Sequence, residues 1–181
     1  RSTRQYFGLR LYTILLEVFD MLNRKDPGNK LWASLGNHEI LKRRLLENKN
    51  GDVVEMVLFY GDEDGKESYN NFMCLFTNPN KWQVTETAYW VAIRSRTGPP
   101  LRIYANLPLD DITEMDLKAQ DSLAAWLKGK GSEASILVHR GHSYHLDHTL
   151  KKLTPSVKLT LLGSCGGYNN ILSVANISKE A

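Results

Sequence analysis

Apolar residues run along this chain in two rhythms, and the change between them comes near residue 49. In LRLYTILLEVFDMLNR (9–24), Leu11, Leu15, Val18, Phe19 and Leu22 recur at steps of three and four, the spacing of one helical face. Asp26-Pro27-Gly28 interrupts that pattern. Leu31, Leu35, Leu41 and Leu45 resume it, with Lys42, Arg43 and Arg44 mostly off the stripe. Residues 1–48 are therefore predicted as a helical annex, a helix–turn–helix hairpin. After KNGD (49–52) the runs become short and almost wholly apolar.

VVEMVLFY (53–60) has the composition of a buried strand and ends at the acidic turn GDEDG (61–65). SYNNFMCLF (68–76) fits helix or strand equally. AYWVAIRSR and LRIYANLPL flank TGPP and are predicted as two β segments joined by a turn. Asp111 and Glu114 have the spacing of a capping box, with Met115, Ala119, Leu123 and Trp126 following at helical steps until Gly129 and Gly131. ASILVH (134–139) is predicted as a strand, LDHTLKKLT as a short helix, VKLTLLGS (157–164) as a strand, and YNNILSVANIS as the start of a helix.

Strands alternating with helices, the strands nearly continuous in apolar residues, predict an α/β fold with a mostly parallel sheet flanked by helices on both faces. Residues 49–181 would form this domain. Sites in such sheets lie beyond the carboxyl ends of the strands. HRGH and GSCGG close two successive strands, and a helical crossover between them should bring those ends side by side.

Composition narrows the classes without naming one. At 42% hydrophobic and 24% charged the chain is an ordinary globular sequence, and its net charge of +3 is spread among acidic residues without a basic run. Charge therefore gives no reason to expect a nucleic-acid partner, and no apolar run approaches the roughly 20 residues of a membrane span. Cys74 and Cys165 are too few for a disulfide framework. The chain starts at Arg1 without a Met, and we expect it to be part of a larger multidomain protein.

The candidate chemistry is concentrated in ILVHRGHSYHLDH (136–148), which holds four of the five histidines. His139, His142, His145 and His148 recur every three residues, which on one helix would suit a metal ion and a metal-dependent hydrolase. Gly141 and the strand-like ILVH argue against one helix, and no carboxylate or cysteine pair has ligand spacing beside them. GNHE (36–39) and GHSYH (141–145) are similar to metal-binding stretches of metallophosphoesterases. The Asp-x-His strand end of that family is missing, so the match is taken as chance.

A nucleophile needs fewer assumptions. A thiol requires a base or cation nearby to react as thiolate, and an imidazole at the next strand end supplies one. Gly166 and Gly167 leave the backbone free to turn and open space around Cys165. Cys74, inside NFMCLF, is expected to be a small buried residue of the core.

These two blocks resemble the caspase-like cysteine peptidases (clan CD: caspases, clostripain, gingipains, legumain and separase), in which one hydrophobic strand ends in His and a second ends in Cys. ASILVHRGHS and VKLTLLGSCGG match that arrangement, with 22 residues between His142 and Cys165. The resemblance implies a cysteine endopeptidase acting on a protein or peptide substrate through a His–Cys dyad, with no metal or organic cofactor. His142 would be the catalytic histidine and Cys165 the nucleophile, with backbone N–H groups at Ser143 and Gly166 near the oxyanion. His139 is the competing choice of base, and His145 or Asp147 could orient the imidazole of His142. Tyr144 could wall the cleft, and GDEDG could meet a cationic group of the substrate. The chain departs from the family at Ser143, where a glycine is usual, which also admits a catalytically degenerate interaction or regulatory module. It ends 16 residues past Cys165, so much of the specificity pocket would lie beyond it.

Overall fold

In the computed structural model the described residues are 41–178 together with Tyr12, Thr13, Leu15, Leu16 and Phe19, the last five all helical. The chain divides into two units, Arg1–Lys42 and Arg43–Ala181. Most of the expected hairpin, GNHE included, lies outside the described residues. Of its second helix only 41–48 are described, and they form a 3-10 turn, Arg43–Leu45, and a bridge from Glu47 to Val53 instead of an α-helix.

The second unit is built on six strands: β1 (Val53–Phe59), β2 (Trp82–Glu86), β3 (Trp90–Ser95), β4 (Leu101–Asn106), β5 (Ile136–Arg140) and β6 (Leu159–Gly163). They are ordered β2-β3-β4-β1-β5-β6. β4, β1, β5 and β6 run parallel, whereas the β2–β3 and β3–β4 pairs are antiparallel. Four helices accompany them: α1 (Glu63–Met73), α2 (Met115–Gly129), α3 (Leu146–Leu150) and α4 (Ile171–Ile177). The expected α/β class with a mostly parallel sheet is thus observed. None of the described helices is long and apolar enough to cross a membrane.

Central strand β1 explains its own composition. It has neighbours on both edges, and its apolar side chains on both faces are at most 4% exposed. Each such burial is worth about 1.5–3 kcal/mol. Val54, Met56 and Leu58 meet Leu123 and Leu127 of α2 and Leu137 of β5. Val57 and Phe59 meet Tyr69, Phe72 and Met73 of α1 and Ile93, Ile103 and Ala105 of the antiparallel strands. Covering of both faces is only partial. Leu159 and Leu161 of β6, in register with Ile136 and Val138, are 37% and 49% exposed.

Two expectations need correction, and one open choice is settled. The Asp111–Glu114 capping box does not form: α2 starts at Met115, and Glu114 has a left-handed backbone (φ 55°) with no side-chain cap. The turn before the helix is closed by Asp110 instead, whose carboxylate accepts from Thr113 N–H and whose carbonyl accepts from Met115 N–H. Residues 68–76 are the end of α1 and a 3-10 turn, Cys74–Phe76. Cys74 is exposed rather than buried, because that turn faces Phe76 inward and leaves Cys74 outside.

The carboxyl end of β1 is tied down by buried polar side chains from two other elements. Phe59 N–H donates to Asn106 Oδ1 at 2.9 Å. Its carbonyl accepts from Asn106 Nδ2 and Gln120 Nε2, also at 2.9 Å. Gly61 N–H donates to the buried carboxylate of Asp116 on α2 at 3.0 Å. These bonds satisfy main-chain groups that leave the sheet inside the protein, and they set the path of the acidic turn that follows.

Candidate functional site

The carboxyl ends of β1, β5 and β6 lie side by side, because β5 pairs in parallel with both others and Arg140 is level with Phe59 and with Gly163. Groups from these three strand ends therefore meet in one region. A cleft of about 270 Å³ is lined there by Asp64, Ser68, Arg140, His142, Ser143 and Cys165, among others.

His142 leaves β5 with an extended backbone (φ −66°, ψ 156°) and opens the 3-10 turn Ser143–His145. Its imidazole Nε2 lies 2.8 Å from Asp64 Oδ2, both side chains remaining largely exposed. The ring of Tyr144 stacks beside it, with centroids 5.2 Å apart. Cys165 is exposed at the bend after β6. His142 and Cys165 share the cleft, but the imidazole is turned towards Asp64 and forms no hydrogen bond with the sulfur.

The two loops touch where glycine is required. A Cβ on Gly166 would stand 3.2 Å from Ser143 Cβ, so the 143 and 166 backbones face each other across the cleft. A Cβ on Gly167 would be 2.3 Å from the carbonyl oxygen of Leu162, which lets the chain fold back over the end of β6. The N–H groups of Ser143, Cys165 and Gly166 take no part in the backbone hydrogen bonds of these loops. Of these three residues, Ser143 and Cys165 line the cleft.

The imidazoles of His139 and His145 do not share the cleft with that of His142. His139 is fully buried. Its Nδ1 is 2.7 Å from Thr149 Oγ1, and its Nε2 is 3.0 Å from Gly141 O and 3.3 Å from His142 O. Burial holds its pKa below the ordinary imidazole value, although the two carbonyls work in the opposite direction. With both nitrogens engaged in the interior, His139 does not reach the cleft as a base.

His145 does not orient His142 either. It stacks flat on the ring of Tyr60, with centroids 3.9 Å apart, and its Nε2 bonds Asp62 Oδ2 at 3.0 Å. Asp147 is exposed on α3, and the carboxylate that adjoins His142 is that of Asp64. Among the described residues no three His, Cys, Asp or Glu side chains are grouped to hold a metal ion. The three-residue recurrence is dispersed because strand, bend, 3-10 turn and helix follow each other within ten residues.

GDEDG is two devices and not one solvated turn. Asp62 caps α1, its Oδ1 accepting from Gly65 N–H at 2.6 Å. Its other oxygen accepts from Tyr144 and bonds His145. Burial pushes its pKa up, but the Gly65 N–H and the His145 ring outweigh that and hold it below the usual carboxylate value. Asp64, the second residue of the helix, pairs with His142. The sequence reading missed that pairing, as it missed Tyr60, Ser68, Arg140 and Thr149. The one usable signal for Asp64 was its place beyond the carboxyl end of a central strand. Arg140 donates through Nε and Nη2 to Ser68 Oγ, at 3.2 and 3.0 Å, and forms the side of the cleft. No protein-family model matches this chain, and no curated protein matches it.

Proposed function

We propose that the cleft is the centre of a caspase-like cysteine endopeptidase. The observation that carries this reading is the parallel β5–β6 pair, which puts His142 and Cys165 on facing loops of one cleft, with the Ser143 and Cys165 N–H groups taking no part in the loops' backbone hydrogen bonds. The strand order β4-β1-β5-β6, with the candidate histidine after β5 and the cysteine after β6, agrees with the two-block resemblance of the sequence.

In this reading the Cys165 thiolate attacks the carbonyl carbon of a peptide bond. Negative charge develops on the carbonyl oxygen and is met by N–H groups of Ser143, Cys165 and Gly166. His142 gives its proton to the leaving amine as the C–N bond breaks, which leaves a thioester on Cys165. Water, deprotonated by His142, then cleaves the thioester and regenerates the thiol. Asp64 holds the imidazole through Nε2 and stabilises its protonated form, which leaves Nδ1 for the sulfur. The 2.8 Å bond has to persist while the ring approaches Cys165, and both partners are exposed enough to move together.

Both cysteines are exposed, so alkylation compares their chemistry and not their access. Iodoacetamide labelling read by mass spectrometry at about pH 6.5 should show Cys165 reacting about tenfold faster than Cys74. His142→Ala should abolish the difference, and Cys165→Ala should abolish peptide cleavage. If Cys165 and Cys74 label with the same pH profile, the peptidase reading is wrong.

One observation favours a second reading, an interaction module that has lost its catalysis: the imidazole is bonded to Asp64 and not to the sulfur. That reading requires equal labelling of the two cysteines and no cleavage of any peptide library.

A further inference from the structure

We infer that His139 is a positioning residue, a buried clamp that holds the backbone of His142 and Ser143 in place for the proposed chemistry, an inference that rests on the peptidase reading. Its hydrogen bonds determine its protonation. Nε2 faces two carbonyl oxygens, Gly141 O and His142 O, neither of which can donate. The proton must therefore be on Nε2, and the neutral ring presents Nδ1 as an acceptor. Thr149 Oγ1, 2.7 Å away and fully buried on α3, supplies the donor. The Thr149 oxygen is in turn 2.7 Å from the hydroxyl of Tyr60, which is itself fully buried.

The chain Tyr60–Thr149–His139 thus ends on two consecutive carbonyls of the loop that carries His142. Its counterpart is steric. The Tyr60 ring lies where a Cβ on Gly141 would come within 2.5 Å, so the loop is seated directly on that ring. Tyr60 OH also lies 3.1 Å from His145 O, just after the 142–143 segment. The loop is held on its inner side at residues 141 and 142, and its outer side presents His142 and Ser143 to the cleft. A peptide plane tethered by its carbonyl cannot rotate without breaking that bond. The direction of the next N–H, that of Ser143, is fixed with it.

A residue that only filled space would be replaceable by another of its size. A clamp requires the Nε2 donor, and a small misplacement of groups in such a site costs up to about 100-fold in rate. The test compares His139→Leu, which fills the space without a donor, with His139→Gln, which restores an N–H at a similar reach. In His139→Leu, alkylation of Cys165 at about pH 6.5 should fall by about tenfold, towards the His142→Ala rate, with kcat for peptide cleavage lowered and KM little changed. His139→Gln should recover most of both.

A folded His139→Leu protein with the wild-type Cys165 profile would overturn the inference. Should that variant fail to fold, long-range proton–nitrogen NMR on the labelled wild type still decides it. The His139 ring must give the neutral Nε2–H pattern at neutral pH, and an Nδ1–H or doubly protonated ring would overturn the clamp. Wild-type Cys165 that labels like Cys74 sinks the peptidase reading itself, a failure visible without any His139 variant.

Discussion

Asp62 and Asp64 stand two positions apart in one acidic turn and have different consequences. Asp62 caps α1 and engages His145, so Asp62→Ala should lower the thermal midpoint by an amount corresponding to a lost cap, about 1 kcal/mol. Asp64 is exposed and touches His142, so Asp64→Asn should leave the thermal midpoint in place. The same change should lower kcat for the proposed cleavage by about tenfold with little effect on KM, since a neutral amide stabilises the imidazolium less than a carboxylate does. Thermal melts and peptide kinetics on the two variants would separate these roles, and equal effects on both readouts would refute the division. From GDEDG alone the two carboxylates could not be told apart. Which one caps and which one reaches His142 depends on where α1 begins, and that start is set by the bonds from Asn106, Gln120 and Asp116.

Elements differed in how plainly the sequence announced them. β1, β4, β5 and α2 were legible because each has either a continuous apolar run or a helical period that matches its burial, and β6 from its apolar run although none of its residues is buried. β2 was not: Gln83 to Glu86 are exposed, and it is held as an edge strand by pairing with β3. The expected cap of α2 failed for a related reason. Asp116 is drawn inward to Gly61, and the chain must enter the helix through a left-handed residue to allow it. The loop after β5 depends in the same way on a contact far along the chain, the seat on Tyr60. Gly141→Ala forces a Cβ into that ring and should destabilise the protein by about 1–3 kcal/mol. Asn106→Leu leaves the buried Phe59 N–H without a partner and should cost about 1–3 kcal/mol. Urea midpoints for both variants test the two predictions, and wild-type values would contradict the contacts that underlie them.

Over the whole molecule, stability should depend on pH through a few buried groups. His139 has a folded pKa below its unfolded value of about 6.5. The unfolded chain therefore takes up that proton first, and stability falls as pH drops from about 6.5 towards the folded value. The Asp62 pKa is also lowered, so its contribution is present above about 3.8 and is lost below it. Glu55 opposes this: burial raises its pKa, so its charged form costs stability at neutral pH and the cost is relieved as pH falls through the folded value. Urea titrations between about pH 8 and pH 5 should show the first loss, and His139→Gln should flatten it; an unchanged slope in that variant would refute the assignment. The sequence by itself determined the alternation of strands and helices, the parallel core of the sheet, and the placing of His142 and Cys165 at strand ends, because local apolar periodicity encodes burial and strand-end position follows from it. Only the tertiary structure decided which histidine faces the cleft, that His139 is buried with both ring nitrogens engaged, and that Asp64 and not His145 or Asp147 adjoins His142. Those outcomes depend on contacts such as Tyr60 with Thr149, 89 residues apart in sequence, and no local pattern carries information about a partner at that distance.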